Sequence, residues 1–365
     1  MNITQGAVYQ SVLSRGLDPF NITMIVLYTI VGVLAFVGNV FVLHVLRTRL
    51  SARRNVGFMF ANMAVADLLT ALIIIPKQIT QAARNNLWFP GMLADVLCRA
   101  CDFTVFTSIA ASILTLTIMS LDRFVGIMLP QHKQTTLFHR ASVVTPFVWI
   151  TSTLLMSPII VVSTSLPSSL YPDDPARCRQ TWSVLGDVDL SQQVFYAFVL
   201  VMLYIIPLVV MTTIYSSICF KLWIHRTPGE TIPAVTRRVE RKNRRVIRML
   251  VIVVVVFAAC WLPPHVMHIY SAFYWREFSV NITRYNIDDI MFFIGQANSA
   301  INPILYIWLN SEFRKAFGRA FRFKWGRRFG CCLMDYSVHR QSSDEITSRN
   351  RVGLKQKDDA KETMM

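Results

Sequence analysis

Charge is what this sequence has least of. Asp, Glu, Lys and Arg make up 16% of the 365 residues, 53% are hydrophobic, and the mean hydropathy is +0.43. Soluble domains carry about 25% charged residues, so a soluble fold of this length is excluded. Other absences narrow the function. There is no HExxH, no GxSxG and no paired aspartate within an apolar stretch, which argues against an enzyme working at membrane depth. No repeated halves suggest a transporter, and no filter sequence or ring of pore charge suggests a channel. The opening residues, MNITQGAVYQ, lack a basic region followed by an apolar core and a small-residue cleavage site, so the first apolar stretch is expected to act as a signal anchor.

What is present is a set of long apolar runs. A hydrocarbon core about 30 Å thick needs about 20 helical residues, and seven runs qualify: Phe20–Leu43, Asn55–Pro76, Phe103–Leu121, Ala141–Leu166, Gln193–Phe220, Met249–Trp275 and Ile290–Asn310. Asp67 is the one Asp, Glu, Lys or Arg inside them. Basic residues stay on the cytoplasmic side of span ends. The connections after runs one, three and five, with the tail, hold 29 of the 37 Lys and Arg, which predicts an extracellular N-terminus and a cytoplasmic C-terminus. The net charge of +16 is thus a membrane-surface feature and not a nucleic-acid footprint.

The expected fold is an all-α membrane protein, a seven-transmembrane helix bundle with a short amphipathic helix after the seventh span. It divides into an extracellular tail (1–19), the bundle (20–310), a membrane-surface helix (311–330) and a cytoplasmic tail (331–365). The sequons at Asn2, Asn21 and Asn281 fall on the outer side or at its boundary and are candidate glycosylation sites. Of seven cysteines, Cys98, Cys101 and Cys178 reach the oxidising side. The preferred disulfide is Cys98 with Cys178, with Cys101 as the alternative to Cys98. Cys331 and Cys332 follow a basic, aromatic stretch and are candidate palmitoylation sites.

An acid inside hydrocarbon must face the bundle interior and needs polar company. Counting along the helices places Asp67, Ser112, Asn298, Ser299 and Asn302 at similar depth, with Asn39 comparable. Such a group can hold a small cation or form a hydrogen-bonded network. Prolines 158, 207, 263 and 303 interrupt otherwise continuous patterns and are expected to kink their helices.

The local strings resemble one family, the rhodopsin-like (class A) G-protein-coupled receptors. They are Gly38-Asn39, Asn62-Met-Ala-Val-Ala-Asp67-Leu-Leu, Asp122-Arg123-Phe124, Trp149, Pro207 with Tyr215, Phe257-x-x-Cys-Trp-Leu-Pro263 and Asn302-Pro-Ile-Leu-Tyr306, each in its expected span. The resemblance covers roughly 20–321. It implies that Asp122 holds Arg123 in the idle state and releases it to the G protein in the active state. It further implies that Trp261 with Phe257 and Pro263 is a ligand-moved switch, that Asn302, Pro303, Tyr215 and Tyr306 rearrange on opening, and that Asp67, Ser112, Asn298 and Ser299 form an allosteric sodium pocket. Phe124 departs from the commoner Tyr, and the inner end of span six lacks the acid some relatives carry there. No other cofactor is implied.

Amine receptors of the family carry an aspartate where this chain has Val105, and no lysine lies in span seven for a retinal Schiff base. The projected pocket holds Gln78, Phe106, Ile109, Trp261, His265, His268, Phe292 and Gln296, with Asp289 beside its mouth. That aromatic, hydrogen-bonding set suits a peptide, and the chain looks most like the neuropeptide-receptor branch. The rim acids Asp173, Asp174, Asp187, Asp189, Asp288 and Asp289 would steer a basic ligand inward. An acidic lipid or nucleotide, met by Lys77 and His265, is the alternative. The partners implied are an extracellular peptide, a heterotrimeric G protein, receptor kinases and arrestin at tail serines and threonines, and membrane lipids, all at the plasma membrane.

Overall fold

A computed structural model describes residues 17–49, 54–129, 131, 137, 140–165, 176–223, 234–274, 286–309 and 313–319. Met1–Ala316 forms one compact unit and Phe317–Met365 a second. Among the described residues seven helices are long and apolar enough to span a membrane: Pro19–Thr48, Gly57–Ala83, Met92–Met128, Ala141–Val162, Val188–Lys221, Arg244–Phe273 and Ile287–Leu309. They are called spans one to seven below. A helix is the form these runs must take, because hydrocarbon offers backbone N–H and C=O groups no partner outside the chain.

Most helices outrun the uncharged stretches. Span three begins eleven residues before Phe103 and contains Asp95, Arg99 and Asp102. These charges are tolerated in a helix end because they are paired. Arg99 Nε lies 2.7 Å from Asp95 Oδ2, and Asp102 bonds Lys77 of span two. At about 1.5 Å per residue the 37-residue helix is near 55 Å long, well beyond the hydrocarbon, so its outer end stands in the loop region.

The proline interruptions take three forms. Span four breaks at Ser157 and restarts at Pro158. Spans two and five each carry a π-helical turn, Thr70–Ile74 and Val201–Ile205, ending two residues before Pro76 and Pro207. The wide turn absorbs the ring that cannot fit a regular ladder. In spans six and seven the helix runs through Pro263, Pro264 and Pro303.

Span three packs against spans two, four and five, and span six lies along span seven. Two glycines permit the closest approaches. A Cβ at Gly38 would stand 2.7 Å from Pro303 Cβ, and one at Gly295 would stand 2.9 Å from Pro264 Cγ and 3.1 Å from the Trp261 ring. Lipid-facing positions stay apolar but exposed, as at Val33, Val37, Phe147, Leu154 and Val209.

The outer connection after span four folds back as a short antiparallel hairpin, β1 (Ser163–Thr164) with β2 (Arg179–Gln180). Cys178, just before β2, is disulfide-bonded to Cys98 at the outer end of span three, and Cys101 is a free thiol. Residues 313–319 are helical, within the stretch expected to form the surface helix. Asn2, Asn281, Cys331, Cys332, Asp173 and Asp174 lie outside the described residues.

Candidate functional site

The outer half of the bundle gathers an aromatic and imidazole cluster. Phe106 of span three stacks with His268 of span six at 6.0 Å between ring centroids, and Tyr196 of span five stacks on the same imidazole at 4.6 Å. His265, one turn deeper, lies 6.4 Å from His268 and 4.9 Å from the Tyr204 ring. Trp182 and Phe195 close the side beneath the hairpin, 5.1 Å apart. Phe106, His265 and His268 therefore lie together, and Ile109 and Phe292 are half-buried against the main apolar core. Gln296 is buried, and its Nε2, like Trp261 Nε1 and His268 Nδ1, has no hydrogen-bond partner among the described residues. Gln78 is half-buried beside Lys77, and Asp289 is half-buried in the first turn of span seven, where a carboxylate meets the positive helix end.

Trp182, Phe195, Tyr196 and Tyr204 were not foreseen from the sequence. Phe195, Tyr196 and Tyr204 lie within span five, where an uncharged run gives no hint of which face turns inward. Trp182 enters only because the disulfide draws the second outer loop over the pocket. The Cys98–Cys178 bond itself confirms the preferred pairing.

Lys77 requires a correction. It is not a free cation awaiting an acidic ligand. Its ammonium is bonded to Asp102, and the two side chains are 6% and 13% exposed. Asp102 also accepts from Ser163 Oγ of β1 at 3.0 Å, so one carboxylate joins spans two and three to the hairpin. A similar junction stands nearer the start of span three, where Asp95 accepts from Thr164 Oγ1 at 2.8 Å and the Ser165 N–H at 2.7 Å. From the same turn Arg99 donates to the Ile160 carbonyl at 2.8 Å, closing off the outer end of span four. The Asp95–Arg99 pair follows the i,i+4 spacing of one helix face, but nothing in the sequence reveals that Lys77 and Asp102 neutralise one another.

At mid-depth Asn302 Nδ2 donates to Asp67 Oδ2 at 3.0 Å, and the Ser299 side chain is a second hydrogen-bond partner of that carboxylate. Asn39 Nδ2 reaches across from span one to the Ser299 carbonyl at 3.0 Å. Ser112 and Asn298 are buried at the same level. The Oδ1 atoms of Asn39, Asn298 and Asn302 have no hydrogen-bond donor.

At the opposite end of span three, the end expected to face the cytoplasm, Arg123 Nη2 pairs with Asp122 Oδ2 at 2.8 Å. Tyr215 is buried, and Tyr306 is fully buried with its hydroxyl 3.5 Å from Met63 Sδ and its ring edge-on to Phe60 at 4.9 Å. Phe257 and Trp261 stack loosely at 6.3 Å below Pro263. Arg123 is thus paired, and both tyrosines are buried, at this end of the bundle.

A seven-helix membrane bundle with a ring-lined outer pocket, a buried central carboxylate and a paired arginine at its inner end is a seven-transmembrane receptor. The chain belongs to the rhodopsin family of these receptors: residues 38–306 match the family model "7 transmembrane receptor (rhodopsin family)". It is 31% identical over 317 residues to the QRFP-like peptide receptor of Branchiostoma floridae, covering 85% of this chain and 79% of that one. It is 32% identical over 297 residues to the pyroglutamylated RF-amide peptide receptor of Mus musculus, covering 78% of this chain and 66% of the relative. With the neuropeptide Y receptor type 2 of Homo sapiens it shares 30% identity over 353 residues, 93% of this chain and 86% of the other.

Proposed function

We propose that this receptor binds an extracellular neuropeptide and activates a heterotrimeric G protein. The carrying observation is the outer pocket, a cluster of rings and neutral polar atoms without partners among the described residues, while Lys77 of span two is already paired with Asp102. That surface favours a peptide's aromatic and amide groups over an amine or an acidic headgroup, and the relatives named above are peptide receptors. Asp187, Asp189, Asp288 and Asp289 at the outer ends of spans five and seven favour a ligand with basic residues.

The mechanism is a population shift. A ligand that binds better when spans five, six and seven rearrange around it favours the state in which span six pivots near Pro263, Arg123 leaves Asp122, and Tyr215 and Tyr306 support an open inner face. The basic inner end of span six would contact the G protein and anionic lipid. Receptor kinases and arrestin would act on the tail, palmitoyl chains on Cys331 and Cys332 would hold its start at the membrane, and the N-terminus would be extracellular.

The polar centre suits a sodium ion. Asp67 would carry the countercharge, Ser112, Asn298 and Ser299 would supply neutral oxygens, and the donor-less Asn298 Oδ1 is the kind of buried acceptor a cation relieves. When bound, the ion would favour the closed state. Asp67→Asn should abolish the effect of sodium on agonist affinity, measured by radioligand binding in sodium against a large organic cation.

The primary test is calcium release in cells expressing the chain with a promiscuous G protein, challenged with amidated and basic peptides, amines, nucleotides and lipids. A saturable peptide response lost in Arg123→Ala at equal surface expression is expected. An acidic small molecule as sole agonist would overturn the peptide reading.

A further inference from the structure

Tyr204 sits where two irregularities meet. The π-helical turn Val201–Ile205 rotates span five locally so that Leu203 and Tyr204 are buried while Val201, Met202, Ile205 and Ile206 face outward. From there the Tyr204 hydroxyl donates to the Ala258 carbonyl of span six at 2.8 Å. Ala258 follows Phe257 and precedes Trp261 by one turn. Pro263 and Pro264 bring no N–H, so the carbonyls of Ala259 and Cys260 lose their intrahelical donors. A cross-helix bond therefore anchors the carbonyl next to the part of span six with the weakest internal ladder.

The ring of the same residue reaches the other side of the proline pair. Its centroid lies 4.9 Å from His265, which neighbours His268 at 6.4 Å, which in turn stacks between Tyr196 and Phe106. One side chain of span five thus holds span six below the hinge by a hydrogen bond and above it by packing. It does so in an arrangement in which Arg123 is paired with Asp122.

We propose that Tyr204 is a positioning residue of the signalling switch, its hydroxyl bond to the Ala258 carbonyl acting as a brake that stabilises the closed arrangement of span six. Pivoting at Pro263 moves the segment carrying Ala258 relative to span five, and the bond is lost. Ligand groups that enter the ring cluster displace His265 against the Tyr204 ring and loosen the same contact. The inference rests on the chain being a G-protein-activating receptor, but not on the ligand being a peptide.

The test needs no ligand. Nucleotide exchange on a promiscuous Gα subunit fused to the full chain is measured in total membranes, normalised to receptor amount, so that delivery to the cell surface does not matter. Tyr204→Phe keeps the ring against His265 and removes only the hydroxyl. A neutral hydrogen bond changes an equilibrium by roughly twofold to tenfold, and basal exchange should rise by that factor. The rise should vanish in Tyr204→Phe/Arg123→Ala, which shows that it passes through the receptor's own inner switch. Tyr204→Ala, which loses the packing as well, should fall in melting temperature where Tyr204→Phe changes little. Basal exchange in Tyr204→Phe equal to or below that of the unaltered chain, or a rise that persists without Arg123, would overturn the proposal. If basal exchange behaves as expected while no peptide activates the receptor, the brake stands and the ligand assignment falls.

Discussion

At the scale of single residues, the Lys77–Asp102 pair is the sharpest departure from what a linear reading suggests. Both groups are nearly buried, so neither can lose its partner without leaving a charge in a low-dielectric place. Lys77→Met should cost about 3–5 kcal/mol, seen as a lower melting temperature in detergent and reduced surface expression. Replacing both, as Lys77→Met with Asp102→Leu, should recover most of that loss, because the desolvation penalty disappears with the charges. Had Lys77 been a ligand contact, the single change would alter ligand response at normal stability. Asn21 offers a second residue-level expectation. Its Nδ2, the atom that would carry a glycan, donates to Asn85 Oδ1 at 3.0 Å from the first turns of span one. Asn21→Gln should therefore leave the glycosidase-sensitive mobility of the protein unchanged, while Asn2→Gln and Asn281→Gln should each increase it.

Among the elements, the hairpin over the pocket depends on one covalent bond and two carboxylates. The disulfide closes a loop of 80 residues, for which the chain-entropy model gives roughly 4 kcal/mol. Asp95 and Asp102 then tie β1 to span three. Cys178→Ser should lower the melting temperature and weaken ligand binding together, and treating the native protein with reductant should reproduce both effects. Cys101→Ser should change neither. The seven spans themselves were legible as uncharged runs, because lipid demands length and apolarity and the chain supplies both in obvious blocks. Their ends were not. The third span starts eleven residues early, at Met92, because its charges are paired, Asp95 with Arg99 on the same helix and Asp102 with Lys77 of span two, and the second pairing leaves no mark on either segment. The π-helical turns were equally hidden. A proline announces that the ladder must change, but whether the helix breaks, kinks or widens is decided by the neighbours that accept the displaced side chains.

Across the whole molecule, the closed inner face and the ring-lined outer pocket are two ends of one mechanical unit joined by span six. The state described has Arg123 paired, Tyr306 buried and the Tyr204 brake engaged. A ligand can shift this equilibrium only by as much as its affinity differs between the closed and open arrangements, so the pocket and the hinge must be read together. The sequence by itself determined the membrane class and the number of spans, placed Asp67 at mid-span, and carried the strings from which an inner switch is expected. These follow from hydropathy, from one-dimensional spacing along helices of known rise, and from short strings confined to a single span. Only the tertiary structure decided that Lys77 is neutralised, that Cys98 and not Cys101 bonds Cys178, and that Trp182, Phe195, Tyr196 and Tyr204 complete the pocket. Those outcomes depend on which faces of different helices meet, a matter of packing between segments far apart in the chain that no local pattern encodes.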